Sequence, residues 1–536
     1  MKILGVLLVS LSLLLPAAHA DAPLRPRPKL ILTIVIDQFR ADYLMRFERR
    51  FGPDGFRYLM SNGAYYPYGE YGLLQSMTCP GHATILSGAY PYQHGIPINA
   101  WFDSETHAPV YCVEDPSSPP VPVAPAKKGS FGDGRSPRNL IASTVGDELK
   151  NAGYGSRVYT VALKDRAAIL LGGHRADLAI WFDPERAQWI SSRYYLPSGE
   201  LPEWMKALNA AIPQIQTVWH PEGEGSGYST EEATPFAHPS ATGKEEAIHS
   251  PIGDALTEQA AEFAFDRLQL GRGPAPTDLL AVSFSSHDLV GHEFGPNSRE
   301  MEEMTLSEDR QIAKLLNHIR AKMPDGLDNV VIALTGDHGA PMRPEYALQG
   351  KTPAGRINGP DLSRLIDQKL TARFGKLPAK QKSWVDFTTD LNFYLNHEAL
   401  AAKKIPLREA IAVAKTALES RVGVLYVVSE EAGSHAPGLF DQQLERSRFP
   451  DRSGDLVIIP KPYYMEGGSY GVNHHTGYAY DRTVPIILSG AKFFKAGVYS
   501  QSARVIDIAP TLTFISGTVP PSMSEGRVLS EALLSR

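Results

Sequence analysis

The stretch ILTIVI at 31–36, followed at once by Asp37, decides how the rest of the chain is read. Six apolar or β-branched residues without alternation suit a strand buried on both faces, as in a parallel sheet covered by helices. Two further runs share that character, DLLAVSF at 278–284 and VVIALTG at 330–336. The first leads to Asp288 and His292, the second to Asp337 and His338. Open parallel α/β sheets bind their ligands beyond the carboxyl ends of the strands. Three such strands deliver oxygen and nitrogen donors to one rim, the donor set of a zinc-type centre. One Asp/His cluster alone is an ordinary strand-end feature. The shared placement of three is what points to metal.

The chain has 536 residues, 43% hydrophobic and 21% charged, with no bias towards disorder. It can bury a large core, and is read as one large α/β unit with insertions. A net charge of −6 provides no basic face for nucleic acid. Lys2, the apolar run ILGVLLVSLSLLLP and the small-x-small site Ala18-His19-Ala20 read as a signal peptide over 1–20, cut after Ala20. A retained membrane anchor needs a longer apolar span, and no cysteine stands at the cleavage point to carry a lipid. An exported protein without a membrane anchor is expected. The two cysteines, Cys79 and Cys112, then lie in an oxidising compartment. A disulfide is the reading taken, over two buried thiols or a nucleophilic Cys79.

A first α/β segment spans about 29–111, with a helix expected over FRADYLMRFERRF at 39–51. In MTCPGHATILSG, Thr78 is expected at or just before a helix N-terminus, with Pro80 at its start. RVYTVALK at 157–164 reads as a strand ending near Lys164 and Arg166. Residues 113–138 are Pro/Ser/Gly-rich and 220–250 polar and Gly-rich, so both read as insertions. A third, over 341–438, carries helix and strand patterns of its own and reads as a smaller inserted subdomain. Core-like runs resume in DLVIIP, TVPIILSG and VIDIAPTLTFISG.

The spacing Asp288-x-x-x-His292 places both side chains on one face of a helix. Asp337 and His338 are adjacent, and a turn flanked by Gly336 and Gly339 lets both reach the rim. His474 and His475, ahead of the strand in TVPIILSG, supply a further histidine. With Asp37 this makes three Asp and three His, enough for two metals with three protein ligands each. Metals about 3.5–4 Å apart clamp the attacking and leaving oxygens of an in-line phosphoryl displacement. Thr78 is the candidate covalent nucleophile, its hydroxyl near a helix N-terminus, although an N-cap threonine fits the same position. Lys164 and Arg166 form a cationic pair suited to phosphate oxygens or to a solvated strand end. Asn99 can donate to substrate or serve a turn. His82, His94 and His174 read as local backbone partners.

Together, IVIDQFRADYL, MTCPGHATILSG, HGIPINAWFD, LKDRAAILLGGH, SHDLVGHEFGP, TGDHG, HHTGYAYDRTVP and DIAPTLTFISG resemble the alkaline phosphatase superfamily. The resemblance covers nearly the whole chain after residue 20. It is greatest to the PafA-type phosphatases, relatives of the nucleotide pyrophosphatase/phosphodiesterases. It implies a central, mostly parallel sheet with helices on both faces, added loops and a smaller subdomain. It implies two zinc ions, one held by Asp37, Asp337, His338 and the nucleophile Thr78, the other by Asp288, His292 and His474. His475 stands where the family usually has glycine. Asn99, Lys164 and Arg166 match its phosphate-contacting trio. The implied protein is a secreted or periplasmic alkaline phosphatase acting on small-molecule phosphate monoesters through a phosphothreonine. Its rivals are a phosphodiesterase or nucleotide pyrophosphatase on the same scaffold, and a metal-stabilised binding protein without turnover.

Overall fold

A strand with apolar side chains on both faces is stable only in the middle of a sheet that is covered twice. In the computed structural model, β1 (Leu30–Ile36) lies there. The structure describes residues 26–123, 131–223, 236–429, 435–436, 438–468 and 471–535. The expected signal peptide at 1–20 lies outside them. No helix among the described residues is long and apolar enough to cross a membrane.

The main sheet has ten strands. In chain order these are β1, β2 (Gly63–Glu70), β3 (Pro120–Val121), β4 (Val158–Ala162), β5 (Leu178–Asp183), β6 (Gln188–Ser192), β7 (Asp278–Phe284) and β8 (Val330–Gly336). A second, smaller sheet follows, built of β9 (Val385–Thr389), β10 (Asn392–Leu395), β11 (Val424–Ser429) and β12 (Leu456–Pro460). The chain then returns to the main sheet as β13 (Thr483–Ser489) and β14 (Gly497–Val498). The spatial order of the large sheet is β14-β2-β13-β8-β1-β7-β4-β5-β6-β3. Its centre, β8-β1-β7-β4-β5, is parallel throughout, and antiparallel pairs lie towards both edges.

Leu30, Leu32, Ile34 and Ile36 point into one hydrophobic cluster, while Ile31 and Val35 point into the other. The first face is covered by α4 (Pro251–Arg267) and α6 (Arg299–Lys322), through residues such as Leu256, Ala260, Ile312 and Leu315. The second is covered by α1 (Thr78–Ser87), α2 (Val145–Asn151) and α9 (Ile508–Ser516), through Ile85, Leu149 and Leu512. Each fully buried aliphatic side chain contributes about 1.5–3 kcal/mol. In chain order α3 (Asp165–Gly172) and α5 (Ser286–Phe294) fall between these helices, while α7 (Gly359–Phe374) and α8 (Leu407–Glu419) pack on the small sheet.

Two expectations need correction. FRADYLMRFERRF forms only one helical turn, Tyr43–Arg46, and a 3₁₀ turn, Glu48–Arg50. The backbone leaves helical geometry at Phe47, with φ −109° and ψ 5°, and the Ala41 N–H donates to Thr483 O at 3.2 Å. Phe39, Tyr43 and Phe47 still make ring contacts at helical spacing, the first pair tilted and the second stacked. DLVIIP does not rejoin the main sheet at the end of the 341–438 segment. Its strand, β12, lies between β10 and β11 of the small sheet. Leu456 and Ile458 face one cluster, Val457 and Ile459 another, so the run is buried on both sides. Such a run reads alike in a large or a small sheet.

Cys79 in α1 is bonded to Cys112, with Cα atoms 6.5 Å apart, and so ties the hairpin Ala100–Asp103/Ala108–Tyr111 to α1. The bridge closes a loop of sequence separation 33. Replacing both cysteines by alanine is expected to lower the unfolding free energy by roughly 3–4 kcal/mol. Denaturant titration of the two proteins checks this, and a loss below about 1 kcal/mol would show that other contacts hold the hairpin.

Candidate active site

Ile36 is in register with Phe284 on one side and Gly336 on the other. The residues that follow these three strands therefore emerge side by side, and Asp37 comes out beside Asp337. Asp288 and His292 project one turn apart from α5, which follows β7 directly. His338 Nε2 lies 3.3 Å from Asp37 Oδ1 and 3.5 Å from Asp337 Oδ2. Asp288 Oδ1 lies 3.3 Å from His292 Nε2 and 3.7 Å from His474 Nε2. Donor atoms of Asp288, His292 and His474 all fall within 4.8 Å of one another, as do those of Asp37, Asp288 and His338.

The second ring nitrogens explain the orientation. His292 Nδ1 is 2.8 Å from Val472 O, His338 Nδ1 3.0 Å from Gly339 O, and His474 Nδ1 2.6 Å from Ser76 O. A carbonyl can only accept, so each Nδ1 carries a proton and donates. In the neutral ring each Nε2 then presents a lone pair to carboxylate oxygens, the arrangement of metal-binding histidines held by backbone. Asp37 Oδ1, Asp337 Oδ2 and His338 Nε2 are buried with no hydrogen-bond partner among the described residues. Buried acceptors facing one another need a proton or a cation between them. Two carboxylates and an imidazole on one side, one carboxylate and two imidazoles on the other, fit a pair of zinc-type ions.

The electrostatics follow from this crowding. Burial and the like charge of Asp288 oppose ionisation of Asp37, yet Lys164 and His338 hold its carboxyl below the usual range. Burial likewise opposes ionisation of Asp288, but His292 and Lys164 hold it far down. Burial works against the His338 imidazolium, and the Asp337 and Asp37 carboxylates outweigh it, raising the group to about 9. His474 is pushed well below its ordinary value by burial and by His338.

Thr78 is the first residue of α1 and is buried. Pro80 is the third residue of that helix, so it does not start it. Gly81 lets the helix approach the rim: a Cβ there would lie 2.5 Å from Asp337 O. Arg166 Nη2 reaches Thr78 Oγ1 at 3.5 Å. Asn99 Oδ1 accepts from the Cys79 N–H at 2.9 Å, which leaves its amide NH₂ as the outward donor. Lys164 Nζ is turned inward, donating to Asp37 Oδ2 at 2.6 Å and Asp288 Oδ2 at 2.5 Å, one carboxylate from each side of the centre. Beside Lys164 opens a cavity of about 240 Å³, walled by Arg135, Asp165, Trp181, Phe182 and Ile248.

Several contributors escaped the sequence reading. Gln38, at φ 64°, donates from Nε2 to Asp288 Oδ1 at 2.7 Å and from its backbone N–H to Asp337 Oδ1 at 3.0 Å. It thus links the two sides. Gly291 makes room for it, since a Cβ there would meet Gln38 Oε1 at 2.0 Å. Tyr111 O–H donates to Asp165 at 2.7 Å and accepts from Arg166 at 3.2 Å, while Arg135 holds Asp165 from behind at 2.6 Å. His82, in α1, does serve local backbone as expected, its Nδ1 2.9 Å from Thr78 O, but the same nitrogen also lies 3.1 Å from Asp337 Oδ2. Adjacency to Asp37 was the one signal for Gln38; the others are brought in by tertiary packing. His475 turns away from the centre, its Nδ1 3.3 Å from Asp390 Oδ1.

Residues 31–478 match the model of the type I phosphodiesterase / nucleotide pyrophosphatase family. The chain is 32% identical to alkaline phosphatase PafA of Elizabethkingia meningoseptica, over 99% of this chain and 98% of the relative. It is also 32% identical to alkaline phosphatase PhoV of Synechococcus elongatus, over 95% and 93% of the two chains. The crystal structure of wild-type PafA superposes with a TM-score of 0.83 at 31% identity, covering 95% of this chain and 99% of that one. The chain therefore belongs to the type I phosphodiesterase / nucleotide pyrophosphatase family and is a phosphoester hydrolase.

Proposed function

We propose that this chain is an exported alkaline phosphatase that holds two zinc ions and hydrolyses small phosphate monoesters through a phosphothreonine. In this reading Asp37, Asp337, His338 and Thr78 hold one ion, and Asp288, His292 and His474 the other. The observation that carries it is the set of three imidazoles whose Nδ1–H groups are tied to backbone carbonyls while each Nε2 faces a carboxylate. When bound, the two ions supply Lewis-acid charge that favours the threonine alkoxide and neutralises the phosphoryl and leaving oxygens. Residues 21–536 act as one catalytic domain with insertions around 113–138, 220–250 and 341–438, the last extended to include Leu456–Pro460. The expected export rests on the segment at 1–20.

The chain's own groups carry the steps. Thr78 Oγ1 attacks phosphorus in line, its proton passing to solvent, and the bond from phosphorus to the leaving oxygen breaks. The departing alkoxide takes up a proton. A water then attacks phosphorus from the opposite face, the bond to Thr78 breaks, and inorganic phosphate leaves with the hydroxyl restored. Arg166, braced by Tyr111 and Asp165, and the Asn99 amide donate to phosphoryl oxygens. Lys164 stands between the two ligand sets and neutralises the extra anionic oxygen that a monoester carries. The cavity beside Lys164 accepts the leaving group.

Phosphodiester hydrolysis is the rival, favoured by membership of the type I phosphodiesterase / nucleotide pyrophosphatase family. The discriminating measurement is kcat/KM for an aryl phosphate monoester and its methyl diester, with wild type and a Lys164→Ala, Arg166→Ala double variant. A charge-assisted hydrogen bond contributes about 1.5–3 kcal/mol. The monoester is therefore expected to lose roughly tenfold or more beyond any loss on the diester. Equal losses would assign the enzyme to diesters.

A further inference from the structure

A second group of donors lies beside the centre, where the small sheet meets the loop that carries His474. Asp390 stands in the turn between β9 and β10, Glu466 in the strand Tyr464–Glu466, and His475 in the loop before β13. One donor atom from each falls within 4.8 Å of the other two. Only 9% of His475 is exposed, and its Nδ1 has no hydrogen-bond partner among the described residues. That nitrogen faces Asp390 Oδ1 at 3.3 Å, beyond good hydrogen-bond geometry. A buried imidazole nitrogen without a hydrogen-bond partner, facing one carboxylate and with a second in the same cluster, is a donor in want of a cation.

The surroundings agree. Glu466 Oε2 accepts from the Leu391 N–H at 3.0 Å, which fixes the carboxylate against the turn. Burial and then the like charge of Asp390 raise Glu466 to about 7, an electrostatic conflict that a bound cation would relieve. Asp390, Leu391 and His475 all hold left-handed backbone, at φ 49°, 61° and 79°. Such conformations are costly outside glycine and persist where the surroundings impose them. Thr389 O–H donates to Asp390 Oδ2 at 3.2 Å, leaving Oδ1 for the shared space.

We propose that Asp390, Glu466 and His475 bind a third divalent cation, separate from the two-ion centre. One nitrogen and two carboxylate oxygens suit a zinc-type or manganese ion better than calcium, which prefers oxygen alone. The site joins the small sheet to the catalytic loop. The His475 ring lies 4.5 Å from that of His474, and both residues bond to the same carbonyl, Ser76 O. A cation on His475 therefore steadies His474 from behind.

The test is metal stoichiometry on the intact chain, loaded with zinc, dialysed to equilibrium and measured by elemental analysis. Wild type is expected to hold one zinc more than an Asp390→Asn, Glu466→Gln double variant, three against two. A difference of one supports the third site whatever the total, and any other difference, equal counts included, overturns it. The count left in the variant reports separately on the two-ion reading. Should the variant fold poorly, anomalous scattering at the zinc edge from crystals of the unaltered protein gives a second reading. It should show a peak about 2.0–2.1 Å from His475 Nδ1. Its absence at saturating zinc would overturn the proposal.

Discussion

Thr78→Ala is expected to lower kcat/KM for an aryl phosphate monoester by roughly a thousandfold or more, because it removes both the attacking oxygen and a metal contact. Thr78→Ser should keep part of the activity, since the hydroxyl survives and only a methyl group is lost. Thr78 is buried at the first turn of α1, with Arg166 Nη2 at 3.5 Å from its oxygen. Alanine fills that position without strain, so the fold should be unaffected and thermal unfolding should move little. The covalent step is read directly by acid quench during turnover and mass spectrometry of the peptide that carries residue 78. Wild type should gain the mass of one phosphoryl group there, and the alanine variant none. Full activity in Thr78→Ala would refute the covalent mechanism while leaving the metal centre standing.

Removal of metal should have an equally large effect. Dialysis against pyridine-2,6-dicarboxylate is expected to reduce monoester hydrolysis to background, and added zinc to restore it. The physical reason is the crowding of Asp37, Asp288 and Asp337 around His338, His292 and His474. Without cations these carboxylates oppose one another in a buried space, so the stripped protein should also unfold at lower temperature than the zinc-loaded one. Asp288→Ala or His292→Ala should weaken one ion site and leave the circular dichroism spectrum largely intact, because β1, β7 and β8 are held by their own apolar faces. Undiminished turnover by protein shown by elemental analysis to lack transition metal would sink the two-zinc reading.

Much of this was legible in the sequence. Continuous apolar runs identified β1, β7 and β8, and the residues directly after them carried the donors, because strand ends in a parallel sheet are where chain and site coincide. The i, i+4 spacing of Asp288 and His292 was equally direct. DLVIIP misled because a strand buried on both faces shows no periodicity that tells one sheet from another. The FRADYLMRFERRF segment misled because Phe39, Tyr43 and Phe47 keep helical spacing to fill the core while the backbone leaves helical geometry at Phe47. Beyond its adjacency to Asp37, the role of Gln38 could not be found by pattern, nor could that of Tyr111 or the contact of His82 with Asp337, since these come from packing across as many as 299 positions of separation, as in the Gln38–Asp337 bond. The choice between His474 and His475 required the loop's backbone, with His475 at φ 79°, which sets the two adjacent rings at 83° and gives His475 Nδ1 to Asp390.

The register of β1 between β7 and β8 also bears on how the molecule comes into being. An early strand here finds its two neighbours only after about two hundred and fifty to three hundred further residues have been made, from Leu30↔Asp278 to Leu30↔Val330. Such non-local pairing makes folding slow and leaves a sticky, unpaired edge during synthesis. His474 arrives later still, so the half of the centre built on Asp288 and His292 stays incomplete after Asp37, Thr78, Asp337 and His338 have all been made. A copy that stops before His474 is therefore expected to lack one of the two ligand groups, and with it the full capacity to cleave phosphate esters.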